Sequence, residues 1–427
     1  MTSAPGFPEA QVRDRARNGV TAVFPPVDSY GVRLHGSGTE EPPASGAITD
    51  DLDRAVLTPP VFMPRRLEKL IDLGREPLHD DVDLATVVGG FAAPLPVYVS
   101  AFGSTRAAQG DAGIAASRQA GRLGIPMVIG ENMVPVAGYR RAARDRSPIL
   151  ARLRAYAEHC PPGAGGVVVQ QSTEDADSEV WNLVYSDPSV ADLVDSGRLG
   201  FELKTGQGAK PGLGGMTVVD QAEAARLATR FAVREMPGDG GWLRCATPGT
   251  FTEEILRQQV RFMRNNFPRA RVWVKFHPGR DIGLAAATAW RAGSDAVTVD
   301  GAQGGTGWAP RAFPGRVGLP LGECLRRIGA PAGCLLASGR IWEGGRAVRA
   351  LAMGATAVGL GRAALLAVDE DPEHGLIRLV EALALEARML ISAVGKYQAA
   401  ALDREDLWWP EAATPARPEV PALERTP

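Results

Sequence analysis

Cysteine is scarce in this sequence, and a strong net charge is absent. The four cysteines are Cys160, Cys245, Cys324 and Cys334, and none lies within four residues of another. This spacing fits neither a zinc site nor an iron–sulfur motif, and it predicts reduced thiols in an intracellular protein. A formal net charge of −2 gives no electrostatic basis for binding nucleic acid or an anionic membrane.

Long apolar runs are also missing. Residues 1–8 lack the apolar centre of a signal peptide, and no apolar run reaches the length needed to cross a bilayer. We therefore expect a cytoplasmic protein. The 427 residues are enough for one large barrel with extensions, or for two to three smaller domains.

Composition divides the chain into three regions. Residues 1–56 are rich in Pro, Gly and Ser, which predicts an irregular N-terminal arm with one short helix near Glu9–Asn18. Residues 57–409 carry the regular apolar patterns and are predicted to form the folded body. Residues 410–427 are rich in Pro, Ala and Glu, which predicts a disordered C-terminal tail.

Eight apolar runs alternate with helical patterns in the body. The predicted strands are Val97–Ala101, Pro126–Gly130, Gly166–Gln170, Phe201–Lys204, Val272–Phe276, Ala296–Asp300, Cys334–Ser338 and Ala357–Leu360. The predicted helices include Asp111–Leu123, Ile282–Ala292, Gly344–Met353 and Ile377–Val394. Buried strands that alternate with helices are parallel. Eight such units in one chain favour a closed α/β fold, the (β/α)8 (TIM) barrel.

A glycine-rich loop follows the fourth predicted strand. Residues 204–215 read KTGQGAKPGLGG, with a lysine at the strand end and a second lysine in the loop. Glycine allows backbone amides to approach a flat or anionic ligand, and the lysines add positive charge beside them. This loop is therefore the first candidate for a binding site.

The carboxyl ends of the strands carry the other candidate residues, because a (β/α)8 barrel has its active site there. In strand order these candidates are Ser100, Ala101, Glu131, Gln170, Lys204, Gln207, Lys275, His277, Asp300, Gly301, Gly304, Gly305, Ser338, Gly339, Arg340, Gly359, Gly361 and Arg362. The last two strands end in Ser-Gly-Arg and Gly-Leu-Gly-Arg, and barrels often bind phosphate at that point. The constellation predicts a site for a phosphorylated cofactor.

Lys275 is predicted to face the barrel interior, where a buried cation needs an anionic partner. A reduced flavin ring fits, because it carries negative charge near N1 and O2. A Schiff-base lysine or a structural ion pair with a carboxylate are the open alternatives. His277 and Glu131 are candidates for proton transfer, and Gln170 can offer its amide to the edge of a flavin.

The same residues resemble the FMN-binding domain of the glutamate synthase family, including the forms related to the N-methylglutamate synthase large subunit. Residues 204–215 are similar to that family's K-x-A-Q-G-A-K-P-G-x-G-G loop, with Gly206 in place of its first alanine. Residues 270–307 resemble the strand that leads to its glycine-rich G-G-T-G loop, and residues 337–366 resemble its final A-S/D-G-G segment. The resemblance extends from about Leu57 to Trp409.

This resemblance implies FMN on a (β/α)8 barrel and hydride transfer between the flavin N5 and an amino, imino or 2-oxo acid. It places Lys204 and Gln207 near the substrate carboxylate and Lys275 at the N1/O2 edge of the flavin. It assigns Ser338, Gly339, Gly359 and Gly361 to the phosphate. A small-molecule acid, and a protein or NAD(P)H as electron donor, are the implied partners; a homo-oligomer is left open.

The departures from the family pattern bear on the reaction. Residues 367–374 contain no cysteine where the family has its [3Fe-4S] ligands, and no amidotransferase domain is recognised. His277 and Arg362 stand where the family commonly has small or apolar residues. We therefore expect an FMN oxidoreductase that does not use the iron–sulfur cluster. Two alternatives remain: redox-neutral flavin catalysis, as in type 2 isopentenyl diphosphate isomerase, and a non-catalytic barrel subunit.

Overall fold

A computed structural model describes most of the chain. It describes residues 7–24, 50–102, 111–130, 148–172, 180–206, 208, 212–214, 216–229, 231–236, 241–245, 250–302, 310 and 312–410. The predicted tail, 410–427, lies outside these residues apart from Pro410. No helix in this part of the chain is both long and apolar enough to cross a membrane.

Eight parallel strands close into a barrel, as the sequence predicted. They are β4 (Val97–Phe102), β5 (Met127–Ile129), β6 (Val167–Ser172), β7 (Leu199–Lys204), β11 (Arg271–Phe276), β12 (Ala296–Asp300), β13 (Cys334–Ser338) and β14 (Ala357–Leu360). Each strand pairs with the next along the chain, and β14 pairs with β4 to complete the ring. The (β/α)8 fold class is therefore confirmed.

Within the described residues, seven further strands lie outside the barrel. They are β1 (Val56–Leu57), β2 (Thr86–Val88), β3 (Phe91–Ala93), β8 (Met216–Val219), β9 (Ala232–Glu235), β10 (Trp242–Cys245) and β15 (Leu407–Trp408). Strands β8, β10 and β9 form an antiparallel sheet inserted between β7 and β11. Strands β1 and β15 pair although they are far apart in the sequence, and β2 pairs with β3.

The helices surround the barrel. Those that precede β8 are α1 (Glu9–Asn18), α2 (Asp51–Arg54), α3 (Pro64–Leu73), α4 (Asp111–Leu123), α5 (Pro148–Ala157), α6 (Val180–Ser186) and α7 (Ala191–Asp195). Those that follow it are α8 (Gln221–Leu227), α9 (Glu253–Asn266), α10 (Ile282–Arg291), α11 (Leu321–Ile328), α12 (Gly344–Ala352), α13 (Arg362–Glu370) and α14 (Gly375–Ala393). The predicted bounds of α1 and α4 coincide with the observed ones.

The β2–β3 hairpin packs against the apolar side chains inside the barrel. Its Phe91 lies 5.7 Å from the ring of Trp273, measured between ring centroids. The indole Nε1 of Trp273 donates a hydrogen bond of 3.0 Å to the carbonyl of Gly89. Gly89 has a φ of +55°, and a Cβ there would collide with the indole. The hairpin therefore packs apolar side chains against the interior of the barrel.

The N-terminal helix α1 packs on the outside of the barrel against α13 and α14. Val12 and Ala16 are fully buried against Leu366 and other apolar residues of these helices. The guanidinium of Arg13 forms ion pairs with Asp369 at 2.9 Å and with Glu370 at 3.0 Å. The packing brings the start of the chain next to α13, the helix that follows the last barrel strand.

Candidate functional site

Two lysines and a carboxylate lie together at the carboxyl ends of the neighbouring strands β7, β11 and β12. Lys204 is the last residue of β7 and is in register with Lys275 on β11. Both are buried, at 9% and 5% exposure. The Nζ of Lys275 lies 3.0 Å from Oδ2 of Asp300, which ends β12. This ion pair stabilises the charged ammonium form, so it argues against the Schiff-base alternative, which needs a neutral amine.

Asp300 also connects the lysines to the next two strand ends. Its Oδ1 accepts a hydrogen bond from the hydroxyl of Ser338, the last residue of β13. The Ser338 hydroxyl lies 3.5 Å from that of Ser100 on β4, which Ala101 follows. The backbone N–H of Gly301 donates to the carbonyl of Ser338 at 2.8 Å. A continuous polar network therefore extends from β11 through β12 and β13 to β4.

Glu202 is a member of this network that the sequence analysis missed. It is 1% exposed, and its carboxylate accepts hydrogen bonds from Gln170 at 2.5 Å and from Thr298 at 2.9 Å. Burial raises the pKa of Glu202, although the charge of Lys275 acts in the opposite direction. Glu202 and Lys204 are two residues apart on β7 and therefore lie on the same face of the strand. This alternation is the sequence signal that could have identified Glu202. The amide Nε2 of Gln170, a residue predicted to offer its amide to the edge of a flavin, donates a hydrogen bond to this carboxylate.

His277 lies beside the beginning of the glycine-rich loop. It follows β11 directly, and its Nδ1 would be 2.6 Å from a Cβ on Gly206. The imidazole therefore occupies the space that a methyl group at position 206 would need. Burial lowers the pKa of His277, while Asp281 and the backbone of Thr205 act in the opposite direction. A neutral imidazole at pH 7 is the form that can accept a proton.

The last two strands end in a cationic, glycine-containing turn region. Gly339 has a φ of +145° and Arg340 a φ of +59°. Gly361 caps α13, and a Cβ on it would meet no atom of the described residues within 4 Å. Burial and the nearby charge of Arg340 lower the pKa of Arg362, the first residue of α13. Two guanidiniums and a helix N-terminus therefore create positive potential beside open space.

Gly359 lies between these two turns, on β14. A Cβ there would lie 2.6 Å from the hydroxyl oxygen of Tyr98 and 2.9 Å from the Cβ of Ser338. The glycine therefore lets the Tyr98 ring pack close to β14. Four predicted site residues, Gln207, Glu131, Gly304 and Gly305, lie outside the described residues. Among the residues that the structure describes, no cluster of His, Cys, Asp and Glu could hold a metal ion.

Sequence comparisons identify relatives for the central part of the chain. Residues 163–370 match the family described as the conserved region in glutamate synthase. An archaeal-type glutamate synthase [NADPH] of Dehalococcoides mccartyi is 32% identical over 186 residues, which are 42% of this chain and 36% of that protein. A glutamate synthase large subunit-like protein of Rhizobium meliloti is 33% identical over 187 residues, 41% of this chain and 40% of that protein. The matches thus span about two fifths of these relatives or less.

Solved structures agree on the fold. The (S)-mandelate dehydrogenase of Pseudomonas putida, a soluble mutant, gives a TM-score of 0.52 at 16% identity, covering 95% of this chain and 99% of that one. A flavocytochrome b2 mutant also gives 0.52 at 14% identity, covering 84% and 77%. At these identities the similarity supports the barrel architecture alone.

Proposed function

Because residues 163–370 match the family described as the conserved region in glutamate synthase, we propose that this chain is an FMN-dependent oxidoreductase of the glutamate synthase-like type. Its proposed substrate is an amino, imino or 2-oxo acid. One observation carries the proposal: the lysine pair and the cationic turns lie at the carboxyl ends of strands in the same closed barrel. The ring of FMN, which is anionic when reduced, matches the lysine pair, and its phosphate matches the cationic turns.

The phosphate would bind at the turns after β13 and β14. Arg340 and Arg362 lie close enough for one charge to lower the pKa of the other. A dianionic phosphate would relieve this repulsion, and the first amides of α13 would donate hydrogen bonds to it. The open space beside Gly361 accommodates such a group. The residues present therefore fit the phosphate end of FMN.

The ring would lie over the lysine pair. Bound FMN supplies an isoalloxazine ring that accepts or gives hydride and carries negative charge when reduced. The ammonium of Lys275 is fixed by Asp300 at 3.0 Å, and Asp300 is fixed in turn by Ser338. A positive charge held in this way needs no reorganisation when negative charge develops nearby. Lys204, on the neighbouring strand, would hold the substrate carboxylate.

Proton transfer is the remaining requirement for oxidising or reducing an amino or imino group. His277 is held neutral by burial and can take a proton at its imidazole. The electron route of the iron–sulfur family members depends on cysteines, and residues 363–374 contain none. We therefore propose that electrons are exchanged directly with a small donor or with the substrate.

The first experiment is an absorption spectrum of the purified protein, followed by extraction and chromatography of any flavin. The proposal expects FMN, and it expects the flavin to bleach when candidate amino acids or NAD(P)H are added without oxygen. A colourless protein that takes up no added flavin would instead indicate a non-catalytic barrel. Steady turnover with no net electron donor or acceptor would indicate redox-neutral catalysis.

A second experiment tests the role of Lys275. Replacing Lys275 with methionine removes a charge-assisted interaction of about 1.5–3 kcal/mol, so the reduced flavin should bind roughly 10- to 100-fold more weakly than in wild type. The flavin reduction potential should become more negative. Lys69 on α3 provides the matched control, since Lys69→Met makes the same change outside the barrel. Equal potentials in both variants would refute the assignment.

A further inference from the structure

The turn after β13 has a backbone conformation that needs support. Gly339 has a φ of +145°, and Arg340 has a φ of +59°. Arg340 is the one residue other than glycine with a positive φ in the part of the chain that the structure describes. A left-handed arginine costs free energy and persists when its surroundings hold it in place. The contact that holds the turn in this conformation comes from helix α12.

Arg346 on α12 contacts the turn directly. Its Nε donates a hydrogen bond of 3.1 Å to the carbonyl of Gly339. Its Nη2 lies 2.5 Å from Oδ2 of Asp50, and its Nη1 forms an ion pair with Asp53. Arg346 is 1% exposed and Asp50 is 2% exposed. A buried guanidinium with two carboxylates thus fixes the carbonyl at the centre of the turn.

The two carboxylates come from the segment that precedes the barrel. Asp50 also accepts hydrogen bonds from the backbone N–H groups of Leu52 at 3.1 Å and Gly322 at 2.8 Å. Asp53 lies 3.7 Å from the guanidinium of Arg340 itself. The segment therefore connects α2, the start of α11, α12 and the turn. Asp50 and Arg346 are 296 positions apart in the sequence.

We propose that Arg346, Asp50 and Asp53 are positioning residues that hold the Gly339–Arg340 turn in its phosphate-binding conformation, so that the protein selects a phosphorylated flavin over an unphosphorylated one. None of them needs to touch the ligand. The carbonyl of Gly339 accepts its hydrogen bond from Arg346, so its partial negative charge is compensated within the protein. This inference rests on the proposed function, because it takes FMN to be the ligand of this barrel.

The test compares FMN with riboflavin, which has the same ring and no phosphate. Dissociation constants for both are measured by flavin fluorescence on full-length protein stripped of its flavin by dialysis. In Arg346→Met the loss of a charged hydrogen-bond donor should weaken FMN binding about 10- to 100-fold. Riboflavin binding should stay within about threefold, because the ring site is unchanged. The FMN-to-riboflavin preference should therefore fall by about one to two orders of magnitude.

Arg349 provides a matched control one turn along the same helix. It also binds the segment, through the carbonyls of Asp53 and Ala55 at 3.1 Å each, but its contacts do not include Gly339. Arg349→Met removes contacts with the backbone of the segment and leaves Arg346 on Gly339, so the preference for FMN should fall by less than in Arg346→Met. If Arg346→Met does not fold, Asp50→Asn, which removes the buried carboxylate paired with Arg346, tests the same point and should lower the preference several-fold.

The outcomes separate the two proposals. A wild-type protein that binds neither flavin would overturn the proposed function and this inference with it. The inference alone would be overturned if the wild type binds FMN normally and Arg346→Met leaves the ratio of FMN to riboflavin affinity unchanged. A general effect on stability lowers both affinities together, so the ratio distinguishes positioning of the turn from support of the fold.

Discussion

Gly206 and His277 are predicted to be coupled, because one residue occupies the space that the other leaves empty. A Cβ on Gly206 would lie 2.6 Å from Nδ1, 3.1 Å from Cγ and 3.3 Å from Cβ of His277. Gly206 does not have a positive φ, so its backbone accepts alanine without strain. The substitution Gly206→Ala should therefore act almost entirely through the imidazole of His277.

The expected magnitude follows from two opposing effects. Overpacking of this kind typically costs about 1–3 kcal/mol of unfolding free energy. Alanine in place of glycine at an unstrained position contributes about 0.4–1 kcal/mol in the opposite direction, by restricting the unfolded chain. Gly206→Ala should thus destabilise the wild type by roughly 1–2 kcal/mol. In a His277→Ala background the overpacking is absent, and the same change should be neutral or stabilising.

Urea denaturation of the four proteins in this double-mutant cycle measures the coupling. We expect an interaction energy of about 1–3 kcal/mol, whereas independent sites add to within about 0.5 kcal/mol. A second measurement follows the imidazole. If Gly206→Ala moves the ring into solvent, the pKa of His277 should rise toward its ordinary value of 6.5, and any pH dependence of flavin reduction should move with it. Additive stabilities together with an unchanged imidazole titration would refute the reasoning.

Three further predictions concern the interior and the phosphate end. Burial raises the pKa of Glu202 above 4.5, so the folded state binds more protons than the unfolded chain does. The unfolding free energy should therefore fall as the pH rises above about 4.5. In urea titrations Glu202→Gln should flatten that decline, and parallel curves for variant and wild type would contradict it. The Arg362 guanidinium lies 5.1 Å from the ring centroid of Phe7. Phe7→Ala should therefore weaken FMN binding about three- to tenfold in fluorescence titrations while riboflavin binding is unchanged; equal effects on the two flavins would contradict that role. Gly359→Ala should lower unfolding free energy by about 1–3 kcal/mol, because its methyl group would collide with Tyr98; an unchanged urea midpoint would contradict the packing.

The barrel could be predicted from sequence because its strands leave a local pattern. Each strand is a short apolar run, and the register of parallel neighbours puts the ends of consecutive strands side by side. Lys204 and Lys275 were therefore expected to lie together from their strand positions alone, and they occupy paired positions on β7 and β11. Helix bounds were equally local, as the agreement for Glu9–Asn18 illustrates.

The support behind the site could not be predicted in this way. The ion pair of Asp50 with Arg346 joins residues 296 positions apart, and neither residue belongs to a periodic pattern. Gln170 was assigned to the cofactor because it ends a strand, yet its amide meets the carboxylate of Glu202, its paired neighbour on β7. The sequence does record the coupling of Gly206 with His277 as two departures from the family pattern. Their proximity in the fold is the observation that predicts a link between these two departures.

The β2–β3 hairpin has a consequence for the order in which molecules enter. Trp273 is fully buried and donates a hydrogen bond to Gly89 of the hairpin. The hairpin therefore closes the amino-terminal end of the barrel. If FMN and an acid bind as proposed, both would enter and leave at the carboxyl-terminal end of the barrel. The molecule that binds deeper would then bind first and leave last. A flavin in the deeper position would stay bound while the acid exchanges.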